Sequence, residues 1–165
     1  MDSRSLVIDT LTFASPRRIP RQLWLLPWAE ERYPDYIKKI RQLYPDDIIQ
    51  APAVYCKPLN LTGGKYQAGV YVDEWGCRFV NMEDGLMGIV HEPLISDWSD
   101  LETFRTPEAV LDIDTDAINR FCRSTEKFVY AGSIVRPLER FQFIRTMEQS
   151  MTDVLFEEPG LSSFL

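Results

Sequence analysis

Three short apolar runs, at residues 19–26, 47–51 and 127–133, stand out from a chain whose other apolar positions mostly recur at helical spacing. The first is the most informative. Residues 19–26 predict a buried strand, with Pro20 tolerable because it falls at the strand's start. A proline-broken loop dense in charge and aromatics follows, carrying Trp28, Glu30, Glu31, Arg32 and Tyr33. Beyond it Tyr36, Ile37, Ile40, Leu43 and Tyr44 mark one helix face, with Lys38, Lys39 and Arg41 on the other and Pro34 in the first turn. Strand, polar loop and amphipathic helix together form the repeating unit of α/β architecture. Ligands of such folds sit where the carboxyl ends of strands open into loops.

The remaining pattern extends this scheme. Residues 3–13 predict a short amphipathic helix behind a Ser or Asp cap, stopped by Pro16. A Pro45-Asp46 turn precedes the second core strand at 47–51. After Pro52, glycines punctuate β-prone segments. Residues 66–72 and 77–81 predict a hairpin around Asp73-Glu74-Trp75-Gly76, and 85–94 add a strand. Asp97 to Glu102 and Thr106-Pro107-Glu108 carry helix-start signals, and 114–123 form a helix with Ala117, Ile118, Phe121 and Cys122 inward. The third strand leads through Arg136-Pro137 into one long helix, whose core stripe includes Ile144, Met147, Met151 and Leu155. Glu157 to Gly160 end that helix, and Leu161, Phe164 and Leu165 begin another amphipathic pattern.

That last pattern reads as an interrupted fold. Three strand–helix steps are less than half of an eightfold (β/α) barrel, which takes about 250 residues. The expected architecture is therefore a single α/β domain over 1–165, with a helix in 1–18, an inserted hairpin region at 53–96 and parallel core strands of an incomplete barrel. Composition narrows the partners. A net charge of -7 and a pI near 4.8 argue against nucleic acid or an anionic membrane. Cys56, Cys77 and Cys122 lack CxxC spacing, which fits a reducing compartment without a disulfide or zinc framework. No apolar run approaches ~20 residues and no signal peptide opens the chain, so a cytoplasmic location is expected.

Several segments, in order, resemble the N-terminal part of the uroporphyrinogen decarboxylase family, a TIM-barrel superfamily that includes corrinoid-linked methyltransferases. Leu23 to Tyr36 resembles the family's first strand, its Arg-Gln-Ala-Gly-Arg-Tyr loop and the following helix start. Asp46-Asp47-Ile48-Ile49-Gln50-Ala51-Pro52 is similar to the second-strand segment. Glu92-Pro93-Leu94, Asp100-Leu101-Glu102 and Thr106-Pro107-Glu108 resemble the family's "EPL…DLE…PE" stretch, and Phe128 to Ser133, Glu139-Arg140-Phe141 and Phe156-Glu157-Glu158-Pro159 resemble the third strand, its helix and the next helix start. The resemblance implies a porphyrin-biosynthesis type of lyase, working without a cofactor on a carboxylated tetrapyrrole or related small carboxylated molecule. It also implies that this chain alone is inactive. Asp47 would match the aspartate that engages pyrrole N–H groups and stabilises the protonated pyrrole when CO2 leaves. Arg32 and Tyr33 would match the end of the loop motif. Pro27 and Trp28 stand in place of the motif's first arginine and glutamine, and the negative charge of Glu30 and Glu31 disfavours a polyanion.

Arg136 is a candidate anion anchor, lying between a core strand and a proline-started helix. Trp28, Tyr33 and Trp75 are candidate apolar walls. The competing assignments for these residues are a surface ion pair for Arg32, a solvated arginine for Arg136 and a core-covering hairpin tryptophan for Trp75. His91, the single histidine, reads as a loop residue, so no metal site is expected here. Two other functions stay open: a zinc- and corrinoid-dependent methyltransferase relative with ligands outside this sequence, and a non-catalytic half-barrel or truncated product that self-associates through exposed edges.

Overall fold

The computed structural model describes residues 2–132 and 136–164. In chain order the elements are α1 (Ser3–Leu11), α2 (Pro27–Arg32), α3 (Pro34–Leu43), β1 (Ile48–Gln50), β2 (Gly69–Val72), β3 (Arg78–Asn81) and β4 (Ile89–Val90). Two short 3-10 helices, Trp98–Glu102 and Glu108–Leu111, come next. The chain continues as α4 (Thr115–Arg123), β5 (Phe128–Tyr130), α5 (Pro137–Arg145), α6 (Met147–Leu155) and α7 (Pro159–Phe164). These elements form a mixed α/β structure with one parallel and one antiparallel sheet. They divide into two compact units, one from residues 2–56 and 112–132, the other from 57–111 and 136–164.

In the first unit β1 and β5 pair in parallel, with Ile48 opposite Phe128 and Gln50 opposite Tyr130. Helix α1 lies against both strands. Its Asp2 cap accepts from the Ser5 amide, as the sequence predicts, and its Arg4 amide donates to the Glu126 carbonyl. Helix α4 likewise starts on the predicted Asp114 cap. The run 19–26 departs from expectation: it is extended but is not a strand. Pro20 removes one donor, and the amides of Arg21 and Leu23 are taken by the side chains of Asp47 and Asp46 instead of strand carbonyls. The segment still flanks β1, because the Arg21 carbonyl accepts from the Asp47 amide. The expected loop at Trp28–Arg32 is helical (α2), with Pro27 preset for its first turn.

In the second unit β2, β3 and β4 form an antiparallel sheet in which Val72 faces Arg78 across the predicted hairpin. The turn follows from its residues. Asp73 accepts from the amides of Trp75 and Cys77, and Gly76 takes φ +88°, which a side chain resists. Tyr71, Cys77, Phe79, Val90, Ile95 and Ile144 make the core, and Phe143 meets Phe79 edge-on at 4.9 Å. Asn81 is buried and holds the preceding loop, donating to the carbonyls of Gly64, Lys65 and Gln67 and accepting from the Gly88 amide.

The single long helix expected after Pro137 is two helices, broken at Thr146 with φ +66° and ψ 161°. The second is turned inside out. Ser150 and Asp153 are buried, whereas Met147 and Leu155 are 61% and 74% exposed and Met151 is exposed too. The methionine stripe is therefore surface and not core. The cause is Arg145, which draws Asp153 inward. Thr146 occupies a backbone region almost reserved for glycine, at a cost of about 1–3 kcal/mol, and its hydroxyl caps the Gln149 amide only at 3.4 Å. Thr146→Gly is expected to stabilise this unit by about 1 kcal/mol. A thermal scan checks it, and an unchanged or lower Tm would show that the cap outweighs the strain.

Candidate functional site

Asp47 lies at the amino end of β1, one residue before the strand begins. It is 1% exposed, and both carboxylate oxygens are doubly engaged. Arg18 grips it with two nitrogens at 2.6 and 2.8 Å, the Ser3 hydroxyl donates at 2.7 Å and the Arg21 amide at 2.9 Å. A carboxylate offers about four acceptor positions, and all are used. The Arg18 guanidinium holds its carboxyl far below the ordinary carboxylate range, against the opposing effect of burial and with help from Ser3 and the Arg21 amide. This aspartate therefore ties α1, the 18–21 segment and β1 together, and it has no oxygen left for a pyrrole.

At the other end of the strands a different group collects. The Tyr130 hydroxyl donates to Gln50 Oε1 at 3.2 Å, and Gln22 Nε2 reaches the same hydroxyl at 3.5 Å. Gly132 passes so close that a Cβ there would lie 2.3 Å from Gln50 Nε2. Two amide groups and a phenol thus sit together at the carboxyl ends of β1 and β5, where parallel sheets present ligand-binding groups. None of the three was singled out from the sequence. Their signal is positional: a polar residue closing each apolar run, Gln50 before Ala51-Pro52 and Tyr130 before Ala131-Gly132.

Of the aromatic candidates in the first unit, Trp28 lies on α2 and Tyr33 at the junction of α2 and α3. Trp28 on α2 meets Tyr33 edge-on at 6.0 Å, and the Arg32 guanidinium stacks over Trp28 at 5.2 Å. A shallow hollow of about 390 Å³ lies between α2 and α3, lined by Glu30, Ile37, Lys38 and Arg41. Arg136, 68% exposed, forms an ion pair with Glu139 one helical turn on. Such a pair is worth little.

Trp75 belongs to the second unit. Its ring lies between Phe104, stacked at 6.3 Å, and the Arg140 guanidinium at 4.8 Å, which is in turn paired with Asp73 and Glu74. Its indole N–H is buried without a partner among the described residues, beside a hollow of about 480 Å³ that Asp100 and Arg105 help to line. Burial, reinforced by the Asp73 carboxylate, pushes the neighbouring Cys77 thiol up to about 12, so it offers no thiolate near neutral pH. All three cysteines are free, and His91 is exposed. Among the described residues no group of three or more His, Cys, Asp or Glu could hold a metal ion, and no helix is long and apolar enough to cross a membrane.

Set against protein-family models, curated proteins and solved structures, the chain finds no match in any of the three.

Proposed function

We propose that this chain is the first part of a uroporphyrinogen decarboxylase-like TIM barrel, and that the completed barrel removes CO2 from a carboxylated tetrapyrrole or a related small carboxylated molecule. The observation that carries the reading is the parallel register of 48–50 with 128–130, flanked by the extended 21–23 segment. Two parallel neighbours with an extended segment alongside are compatible with the first three positions of such a barrel, and polar groups gather at the carboxyl ends of β1 and β5. Gln22, Gln50 and Tyr130 are the proposed substrate contacts. Their N–H and O–H groups suit carboxylate or carbonyl oxygens, and they avoid the desolvation cost of a fixed buried charge. Arg32 at the end of α2 and Tyr33 between α2 and α3 remain proposed contacts for the substrate's outer carboxylates. Asp47 is assigned the clasp at the opposite end of the strand, so the charge that stabilises a protonated pyrrole must come from elsewhere in the complete barrel.

A titration of the purified chain with a carboxylated tetrapyrrole, followed by tryptophan fluorescence, tests this. Saturable binding is expected, and Gln50→Ala should weaken it about tenfold, the equivalent of one good hydrogen bond of about 1.4 kcal/mol. Absence of saturable binding, or an affinity indifferent to Gln50→Ala, would remove the rim as the substrate site.

A further inference from the structure

We infer that the hollow beside Trp75 in the second unit binds a free α-amino acid with an apolar side chain, held as its zwitterion. The inference does not depend on the decarboxylase reading, which concerns the first unit. The hollow, about 480 Å³, falls within the range of small-molecule sites, and Trp75, Leu94, Ile95 and Phe104 give it an apolar wall. Two side chains of opposite charge, Asp100 and Arg105, line the same space. They form no ion pair with each other or with another described residue, and their hydrogen bonds all go to backbone groups.

The local sequence holds both charges in place. In the capping box of the Trp98–Glu102 helix, the amides of Ser96 and Asp97 donate to one Asp100 oxygen, Oδ2, each at 3.1 Å. Its Oδ1 accepts from none of the described residues. Arg105 turns back to the carboxyl end of the same helix, where Nη1 donates to the carbonyls of Glu102 and Phe104 at 2.9 and 2.7 Å. Its Nε and Nη2 donate to none of the described residues, and two such nitrogens form a fork that matches a carboxylate. The free Asp100 oxygen suits an ammonium. Because both groups are tethered already, little side-chain freedom is lost on binding.

The Trp75 indole N–H is a second, independent observation. Native folds rarely leave a buried donor without an acceptor, and the described residues provide none. The side chain is pinned, with its own amide on Asp73 and its ring between Arg140 and Phe104, so the donor stays at the wall of the hollow. Two donors therefore call for an anionic acceptor, one carboxylate oxygen calls for a cationic donor, and the rings call for an apolar body. A zwitterionic amino acid carries all three around one carbon. A simple carboxylate would set like charge near Asp100, and a simple amine would set like charge near Arg105 and leave both donors unmatched.

Titration of the isotope-labelled chain with L-phenylalanine, followed at the indole N–H resonances, tests this. The chain has four tryptophans, and Trp75→Phe assigns the relevant resonance by its disappearance. The Trp75 resonance should move downfield and saturate. Phenylpropionate, which lacks the ammonium, and phenethylamine, which lacks the carboxylate, should each bind at least about tenfold more weakly. Asp100→Asn keeps an oxygen for the two capping amides and replaces the free one with a donor. Arg105→Gln keeps an N–H for the two carbonyls and removes the charge. Each variant should weaken L-phenylalanine binding about tenfold. If either variant fails to fold, the two analogues decide the matter on the unmodified chain. A Trp75 resonance that does not move, an analogue that binds as tightly as the amino acid, or a folded variant that binds it unchanged would each overturn the proposal.

Discussion

Asp47→Asn is expected to destabilise the first unit by about 3 kcal/mol. Whichever carboxylate oxygen is replaced, the new NH2 faces an Arg18 nitrogen together with either the Ser3 hydroxyl or the Arg21 amide, so close acceptor contacts become donor against donor. Loss of one partner of a buried pair typically costs 3–5 kcal/mol, and the lower figure applies because the Arg18 side chain is 30% exposed and regains water. Urea titration of the variant measures it. The same clasp sets an acid limit. The folded carboxyl is held below its ordinary value of 3.8, so its contribution is fully present above that pH and is lost as the pH falls below it. Asp47→Asn should therefore flatten the stability curve on the acid side. Were Asp47 a substrate ligand with little structural role, the variant would keep wild-type stability at every pH.

Arg145→Met carries the second large effect, about 3–5 kcal/mol in the second unit. Arg145 is almost wholly buried. Its Nε and one terminal nitrogen hold Asp153 at 2.8 and 3.0 Å, and the other donates to the carbonyls of Ile95 and Ser96 at 2.7 and 2.8 Å. The Trp98 ring lies 4.5 Å from the guanidinium carbon. Removing the arginine strands a buried carboxylate and two carbonyls together. Asp153→Leu in the same chain should recover part of the loss, because an apolar pair does not need the missing partner. Denaturation of the two single variants and the double one closes the cycle. Costs that simply add would mean the two side chains do not act as a pair.

These two arginines mark where the sequence was readable and where it was not. Local rules worked: the Asp2 and Asp114 caps, the α3 periodicity and the Asp73–Gly76 turn depend on residues a few positions apart. The two parallel strands were visible as apolar runs, although each proved shorter than its run. Long-range pairings were not. Nothing in Asp46-Asp47-Ile48-Ile49 announces that Arg18, 29 residues earlier, occupies the carboxylate, so Asp47 looked available. Helix α6 misled for the same reason. Its apolar stripe predicts a core face, but the buried pull of Arg145 on Asp153 rotates that stripe outward, and Thr146 breaks the helix without a glycine or proline. The rim residues Gln22, Gln50 and Tyr130 emerge only once two segments about 80 residues apart are in register, with Gln50 set against Tyr130.

Everything proposed for the rim and the clasp depends on β1 and β5 running the same way, so that Asp47 and Gln50 fall at opposite ends of a shared ladder. Cross-strand nuclear Overhauser effects in the isotope-labelled chain read that direction. Amide-to-α contacts linking 48 with 128 and 50 with 130 in ascending order, without strong α-to-α contacts, are the predicted result. Contacts in descending order, 48 with 130 and 50 with 128, accompanied by strong α-to-α contacts, would contradict it.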